Sequence, residues 1–163
     1  MQDIIFRFMA DKGKVLDRMR RLCSRREYCS SDILKKAREA MDGDPVAARE
    51  ILDELVAEKY VDDLRYASAF ARDKASISGW GDVKIRYMLA AKGVDRDVIG
   101  QALGEIDRER ADGRLEKLLE NKWKSLRDDP HGKIKMIRFA LGRGYGYDEA
   151  APVVDKVCQI HND

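Results

Sequence analysis

The sequence predicts an all-α fold: three tandem three-helix repeats forming an elongated, curved molecule. Three observations carry this prediction. Apolar residues recur at helical spacing along nearly the whole chain, and no alternating stretch is long enough for a sheet. The composition is that of a helical protein, with 38% charged residues, 7% aromatic residues and three prolines among 163 residues. Breaks rich in glycine and aspartate recur at intervals of roughly 50 residues, a period that repeat architectures show. A unit of that size buries little alone, so its neighbours must stack on it. Periodicity by itself also admits one compact bundle of similar helices.

The elements follow in order. Residues 1–13 read as an arm. Val15 to Arg26 forms a first helix, with Val15, Leu16, Met19 and Leu22 on one face. Cys29-Ser30-Ser31-Asp32 supplies capping residues for a second helix, from about Ser31 to Ala40. Asp44 caps a third, with Pro45 in its first turn and Ile51, Leu52, Leu55 and Val56 facing inward. The second unit repeats this plan. Asp62-Asp63 caps a helix whose apolar face is Tyr66, Ala69, Phe70 and Ile77, and Gly79-Trp80-Gly81 breaks it. Asp82 caps the next helix, with Ile85, Met88 and Leu89 inward. Gly93 ends that helix in the left-handed position, with Lys92 placed against the helix dipole. Asp95 to Ile106 closes the unit. The third unit opens with Arg114 to Leu126, carrying Leu115, Leu118, Leu119, Trp123 and Leu126. After the break at 128–132, Lys133 to Leu141 runs to Gly144, and Asp148 caps a last helix to about Cys158. Aligning Gly93 with Gly144 pairs Gly81 with Gly132, Lys84 with Lys135 and Ile85 with Met136. The expected units are 14–60, 61–112 and 113–160, with a tail at 161–163.

Composition excludes several classes. Lys plus Arg is 32 and Asp plus Glu is 30, so a net charge of +2 gives no global pull toward nucleic acid. No apolar run spans a membrane, and the interrupted N-terminal IIFRFMA is no secretory signal. Cys23, Cys29 and Cys158 have no metal spacing and read as free thiols of a cytoplasmic protein, with a Cys23–Cys29 redox pair as the alternative. Neither a phosphate-binding glycine loop nor a catalytic constellation is present, so neither catalysis nor a metal or cofactor is expected. Asp62-Asp63 reads as cap and junction, with Arg65 pairing one of the two, rather than as a catalytic carboxylate pair.

The linking residues are more specific than the periodicity. Tyr60, Val61, Asp62, Asp63, Arg65, Tyr66 and Ala67 precede Gly79, Trp80 and Gly81; Lys84, Ile85, Leu89, Lys92, Gly93 and Val94 follow. In order and spacing this stretch resembles the RecX family of recombination regulators. The resemblance extends more weakly over about residues 14–158 and includes Arg138, Phe139, Arg143, Gly144, Tyr145, Tyr147 and Asp148. It departs from the family at Asp42-Gly43-Asp44-Pro45, where the family often has a Lys-Gly-aromatic turn. The resemblance implies tandem three-helix repeats and a non-enzymatic protein that binds and restrains the RecA–DNA filament. Inhibition of strand exchange, nucleotide hydrolysis and co-protease activity is part of that implication.

Two basic groups are the candidate contacts. The first is Arg18, Arg20, Arg21, Arg25 and Arg26, with no acid among them. Arg18, Arg21 and Arg25 share one face if the helix continues through them. Guanidinium forks suit phosphate and carboxylate alike. The second is Lys84, Arg86 and Lys92 with Lys133, Lys135, Arg138 and Arg143, a discontinuous stripe if the units stack in register. Tyr60, Tyr66 and Phe70 read as packing the junction between units one and two, and Trp80 as packing onto the helix it precedes, although an aromatic beside cations also suits base stacking. The expected partners are a RecA filament and single- or double-stranded DNA, bound weakly or through RecA. A monomer is expected, with no membrane contact. The rival reading is an autonomous helix-turn-helix-like DNA-binding protein.

Overall fold

The computed structural model describes residues 11–160. They form nine helices, with no strand among the described residues. The helices are α1 (Lys12–Cys23), α2 (Ser30–Ala40), α3 (Pro45–Ala57), α4 (Asp63–Ser76), α5 (Asp82–Ala91), α6 (Arg96–Gly104), α7 (Arg108–Trp123), α8 (Gly132–Gly142) and α9 (Tyr147–Ile160). Each run of three gathers its own core. Met19, Ile33, Ile51 and Leu55 centre the first. Ile85, Leu89 and Ile99 centre the second, and Leu119, Met136 and Val154 the third. Hydrogen bonds join the first unit to the second and the second to the third, and no helix of the first packs broadly against one of the third among the described residues.

Helix starts leave N–H groups that need acceptors. The first helix of every unit has an aspartate for this. Asp11 accepts from the Gly13 and Lys14 amides, Asp62 from Arg65 and Asp107 from Arg110. Asp44 and Asp95 cap α3 and α6 in the same way. The middle helices α2, α5 and α8 have no side-chain cap of their own. For α2 and α5 the next unit provides it. The Ser30 amide donates to Asp63 at 2.7 Å. The Val83 amide donates to the Gly144 carbonyl at 3.1 Å, and the Gly81 amide to that of Arg143 at 2.9 Å. The C-terminus of α8 thus abuts the start of α5. In the same manner the Lys92 carbonyl at the end of α5 accepts from the Ser31 hydroxyl at the start of α2. The three middle helices form a head-to-tail column with aligned dipoles.

Several expectations are corrected. The first helix begins at Lys12, inside the expected arm, because Asp11 caps it. It ends at Cys23, so that the chain can turn and bury Tyr28 and Cys29. The inner face of α4 is Ala67, Ala71 and Ala75. Small side chains let it approach α6 closely, while Tyr66 and Phe70 pack on the flank and Ile77 is 65% exposed. Gly81, not Asp82, is the cap position of α5. Asp82 instead holds Arg108 through two bonds of 2.9 and 3.0 Å. Met88 lies outward. α7 begins at Arg108, ahead of the boundary expected at 113. Asp148 sits in the first turn of α9, and it is Glu149 that accepts from the Gly146 amide, at 3.3 Å.

The glycines explain the tightness of the second joint. A Cβ on Gly81 would lie 2.3 Å from the Gly144 carbonyl oxygen, and one on Gly144 would lie 2.3 Å from Lys84 Cβ. Gly144 also has φ +92°, a conformation glycine adopts freely. Gly93 and Gly144 occupy the same left-handed position after α5 and α8, as the repeat alignment requires. Gly79 is buried against Leu118 of α7.

Candidate functional site

The structure sorts the predicted cations into three kinds. Some are spent inside a unit. Arg20 binds Glu58 through Nε and Nη2 at 2.8 and 2.6 Å and Asp17 through Nη1 at 2.7 Å, and these hydrogen bonds raise its pKa further. Lys133 pairs with Asp155 at 2.6 Å, and Lys135 pairs with Asp129. The hydrogen bond to Lys135 holds the Asp129 carboxyl below its usual range. Their acids lie in α9 (Asp155) and in the turn before α8 (Asp129), which the absence of acids within α8 concealed.

Others are spent at the first joint. Lys92 Nζ lies 3.0 and 2.9 Å from the two carboxylate oxygens of Asp32. Arg65 Nε lies 2.6 Å from Glu27, not on Asp62 or Asp63 as expected. Cys29, from the first unit, is buried within the second unit's core. The hydrogen bond to Asp32 raises the Lys92 pKa. Burial works to raise that of Asp32, but its bonds to Lys92 and Cys29 outweigh burial and lower it. Asp32 therefore stabilises the joint above the ordinary carboxylate range and loses that contribution as pH falls through its depressed pKa. Lys92 contributes below its ordinary range and loses that contribution as pH rises through its elevated pKa. The pair is partly exposed, so its worth is about 1 kcal/mol or less. Relative to the intrinsic rate at each pH, amide exchange at Ser30 to Asp32 is expected to accelerate below about pH 4, with amides at Gly81 and Val83 in the second joint unaffected. Equal acceleration at both joints would contradict this account.

The third kind remains open. Arg18, Arg21 and Arg25 are exposed without an ion pair among the described residues, but they form no single helical stripe, because α1 ends before Arg25. Arg26 stacks on Tyr28 at 4.4 Å. Arg86 and Arg138 are exposed on α5 and α8. Lys84 and Arg143 meet at the second joint, where the structure adds two cations that the sequence reading omitted. Lys84 and Lys74 lie 4.3 and 4.7 Å from the Trp80 ring centroid. Arg143 and Lys122 lie 5.3 and 5.6 Å from that of Phe139. Arg143 Nη1 also donates to the Ser78 carbonyl at 2.7 Å, bridging the two units. Lys84 Cβ packs beside Gly144, so the two aromatic-cation groups are contiguous. None of Lys74, Lys84, Lys122 and Arg143 has a carboxylate partner among the described residues.

Trp80 is therefore a packing residue with a second effect. It meets Phe70 edge-on at 6.3 Å, and Phe70 stacks on Tyr66 at 6.2 Å. Its π face holds two ammonium groups without using up their N–H donors. Those donors remain for an anion. The i, i+4 pairs Phe70–Lys74 and Phe139–Arg143 were visible in the sequence. Lys122, on α7, carried no such signal. Among the described residues no group of three His, Cys, Asp or Glu side chains is placed to hold a metal, and no helix is long and apolar enough to cross a membrane.

These features define a class, the tandem three-helix-repeat proteins, here with a joint at which Lys74, Lys84, Lys122 and Arg143 stand without a carboxylate partner among the described residues. Residues 62–103 match the model of the RecX second three-helix domain. The chain is 30% identical over 128 residues to the regulatory protein RecX of Pseudomonas entomophila, covering 78% of this chain and 81% of that protein. It is 31% identical over 140 residues to the RecX of a Mycobacterium species (strain KMS), covering 82% and 76%. Against the RecX of Clostridium botulinum (strain Eklund 17B) identity is 41% over 107 residues, covering 63% of this chain and only half (50%) of that longer protein. A crystal structure of regulatory protein RecX superposes with a TM-score of 0.79 at 25% identity, over 88% of this chain and 71% of that one. The RecX of Lactobacillus salivarius shares the fold, with a TM-score of 0.75 at 19% identity, over 91% and 94%. The chain belongs to the RecX family of regulatory proteins.

Proposed function

We propose that this protein regulates homologous recombination and DNA repair by binding the RecA–DNA filament, inhibiting RecA ATPase, strand exchange and co-protease activity without catalysing a reaction itself. The observation that carries this reading is the cluster of Lys74, Lys84, Lys122 and Arg143 across the second joint, each held on an aromatic ring without a carboxylate partner among the described residues, in a chain of the RecX family. In a chain with a net charge of only +2, cations left unpaired beside aromatic faces are placed for an anionic partner. Arg18, Arg21, Arg25, Arg86 and Arg138 extend the open basic surface. Lys92, Lys133 and Lys135 act within the fold instead. The protein works as a monomer in the cytoplasm on this reading and meets DNA weakly, or through RecA.

The test is RecA ATPase on single-stranded DNA, titrated with this protein with and without free DNA competitor. Inhibition at substoichiometric amounts that survives the competitor is expected. The rival reading, an autonomous duplex DNA-binding protein, requires tight sequence-specific binding and no effect on RecA. A cluster neutralising about five phosphates of single-stranded DNA would give a salt slope near −3.5. A slope that steep, with inhibition abolished by competitor DNA, contradicts the proposal.

A further inference from the structure

We infer that the outer face of the second unit, formed by α5 with the start of α6, is a separate docking surface for an acidic, apolar-anchored protein surface, and that this surface belongs to RecA. This deepens the proposed function and rests on it. On α5 the buried residues are Ile85 and Leu89, which places Val83, Tyr87 and Ala90 on the opposite side of the helix. Val83 is 64% exposed and Tyr87 71% exposed. Beside them a groove of about 560 Å³ opens between α5 and α6. Ala90, Val94 and Ile99 form its apolar floor, and Arg86 and Arg96 stand at its edge. Neither arginine has an ion pair among the described residues. Of the two acids that flank Arg96, Asp95 is committed to capping α6 through the Asp97 amide, and Asp97 forms an ion pair with neither arginine.

The chemistry selects the partner. An exposed tyrosine and valine beside an apolar groove favour burial against aliphatic or aromatic side chains. A phosphate backbone would leave that apolar area without a partner. Two unpaired guanidinium groups at the groove edge favour carboxylates, which they bind through paired hydrogen bonds. On α5 Arg86 and Ala90 lie away from the side that carries Lys84 toward the second joint, and Tyr87, three residues after Lys84, stands between the two sides. In the third unit Ile134 and Leu141 of α8, which match Val83 and Ala90, are also exposed, with Arg138 in the place of Tyr87. A partner made of repeating subunits is suited to two such faces in line.

The test measures binding to RecA in the absence of DNA, binding to single-stranded DNA without RecA, and sedimentation of this chain alone. The variants are Y87D combined with V83D, and separately R96E. All three residues are exposed, so the fold is retained, as the circular-dichroism spectrum verifies. The expected result is a loss of RecA affinity of tenfold or more in both variants, with DNA affinity changed less than twofold. Unchanged RecA binding by variants of a wild-type protein that itself binds RecA overturns the inference alone. A parallel loss of DNA binding identifies a nucleic-acid face, and a loss of self-association identifies a second copy of this chain; either overturns it. A wild-type chain that neither binds RecA nor inhibits it overturns both this inference and the proposed function.

Discussion

Gly81→Ala is expected to uncouple the second and third units. The added methyl would lie 2.3 Å from the Gly144 carbonyl oxygen and 2.4 Å from the Tyr145 amide nitrogen, both backbone atoms. Neither can yield as a flexible side chain does, so the joint must open. Opening it removes the Gly81–Arg143 and Val83–Gly144 hydrogen bonds, the cap that α5 lacks within its own unit. Overpacking costs about 1–3 kcal/mol, and each lost hydrogen bond adds about 1 kcal/mol. A total of roughly 3–5 kcal/mol is a large share of a domain's stability. In a linear array, such a change acts on the interface between neighbours rather than on one unit's core. Urea unfolding is expected to divide into two transitions. Gly100→Ala is the control, since nothing lies within 4 Å of its added methyl in α6. It is expected to stabilise by about 0.5–1 kcal/mol through its helix propensity. A Gly81→Ala protein that unfolds in one transition near the wild-type midpoint would contradict the joint described above.

The second large effect is on function. Replacing Lys74, Lys84 and Arg143 together by glutamate is expected to abolish inhibition of RecA ATPase, a loss of at least a hundredfold in potency. The substitution exchanges three unpaired positive charges for three negative ones on one contiguous surface, so an anionic partner is repelled rather than attracted. Lys74 is half-buried on Trp80 and Phe70, and Arg143 bridges to Ser78, so some stability is lost as well. The alanine triple variant separates the two effects. It loses the same ring and Ser78 contacts as the glutamate variant but adds no repulsion, so an intermediate loss of potency is expected in a protein that unfolds near the glutamate variant's midpoint. The same glutamate exchange at Lys133, Lys135 and Lys156 is expected to leave inhibition intact. Those lysines are paired with Asp155, Asp129 and Glu116 within the third unit. Equal loss in both sets would show that overall charge, not the joint, governs binding.

The contrast between the sets shows what was legible in the sequence. Helix identity was legible, because at most breaks the apolar period is interrupted by an aspartate cap, a glycine, or both. Gly93 and Gly144 marked equivalent positions, and both have the left-handed conformation that the alignment implies. The direction of α4 was misread. Its large residues, Tyr66, Phe70 and Ile77, suggested the inner face, whereas close helix approach favours Ala67, Ala71 and Ala75 there. For the site, residue type and local spacing located Lys84 and Arg143 but not their state. Whether a lysine is open or neutralised depends on acids distant in sequence. Lys92 meets Asp32 across a joint, and Lys133 meets Asp155 across a unit. No local pattern encodes either pair. The Arg18–Arg25 stripe failed for a related reason. Burial of Tyr28 and Cys29 required the chain to leave the helix before Arg25.

The most direct test of the central claim is lysine-selective footprinting of this protein on a RecA filament assembled on single-stranded DNA. Modification of Lys74, Lys84 and Lys122 is expected to fall severalfold on binding. Modification of Lys133 and Lys156, paired within the third unit, is expected to stay unchanged. Protection of Lys133 and Lys156 with Lys74, Lys84 and Lys122 left reactive would contradict the assignment of the second joint as the filament-binding surface.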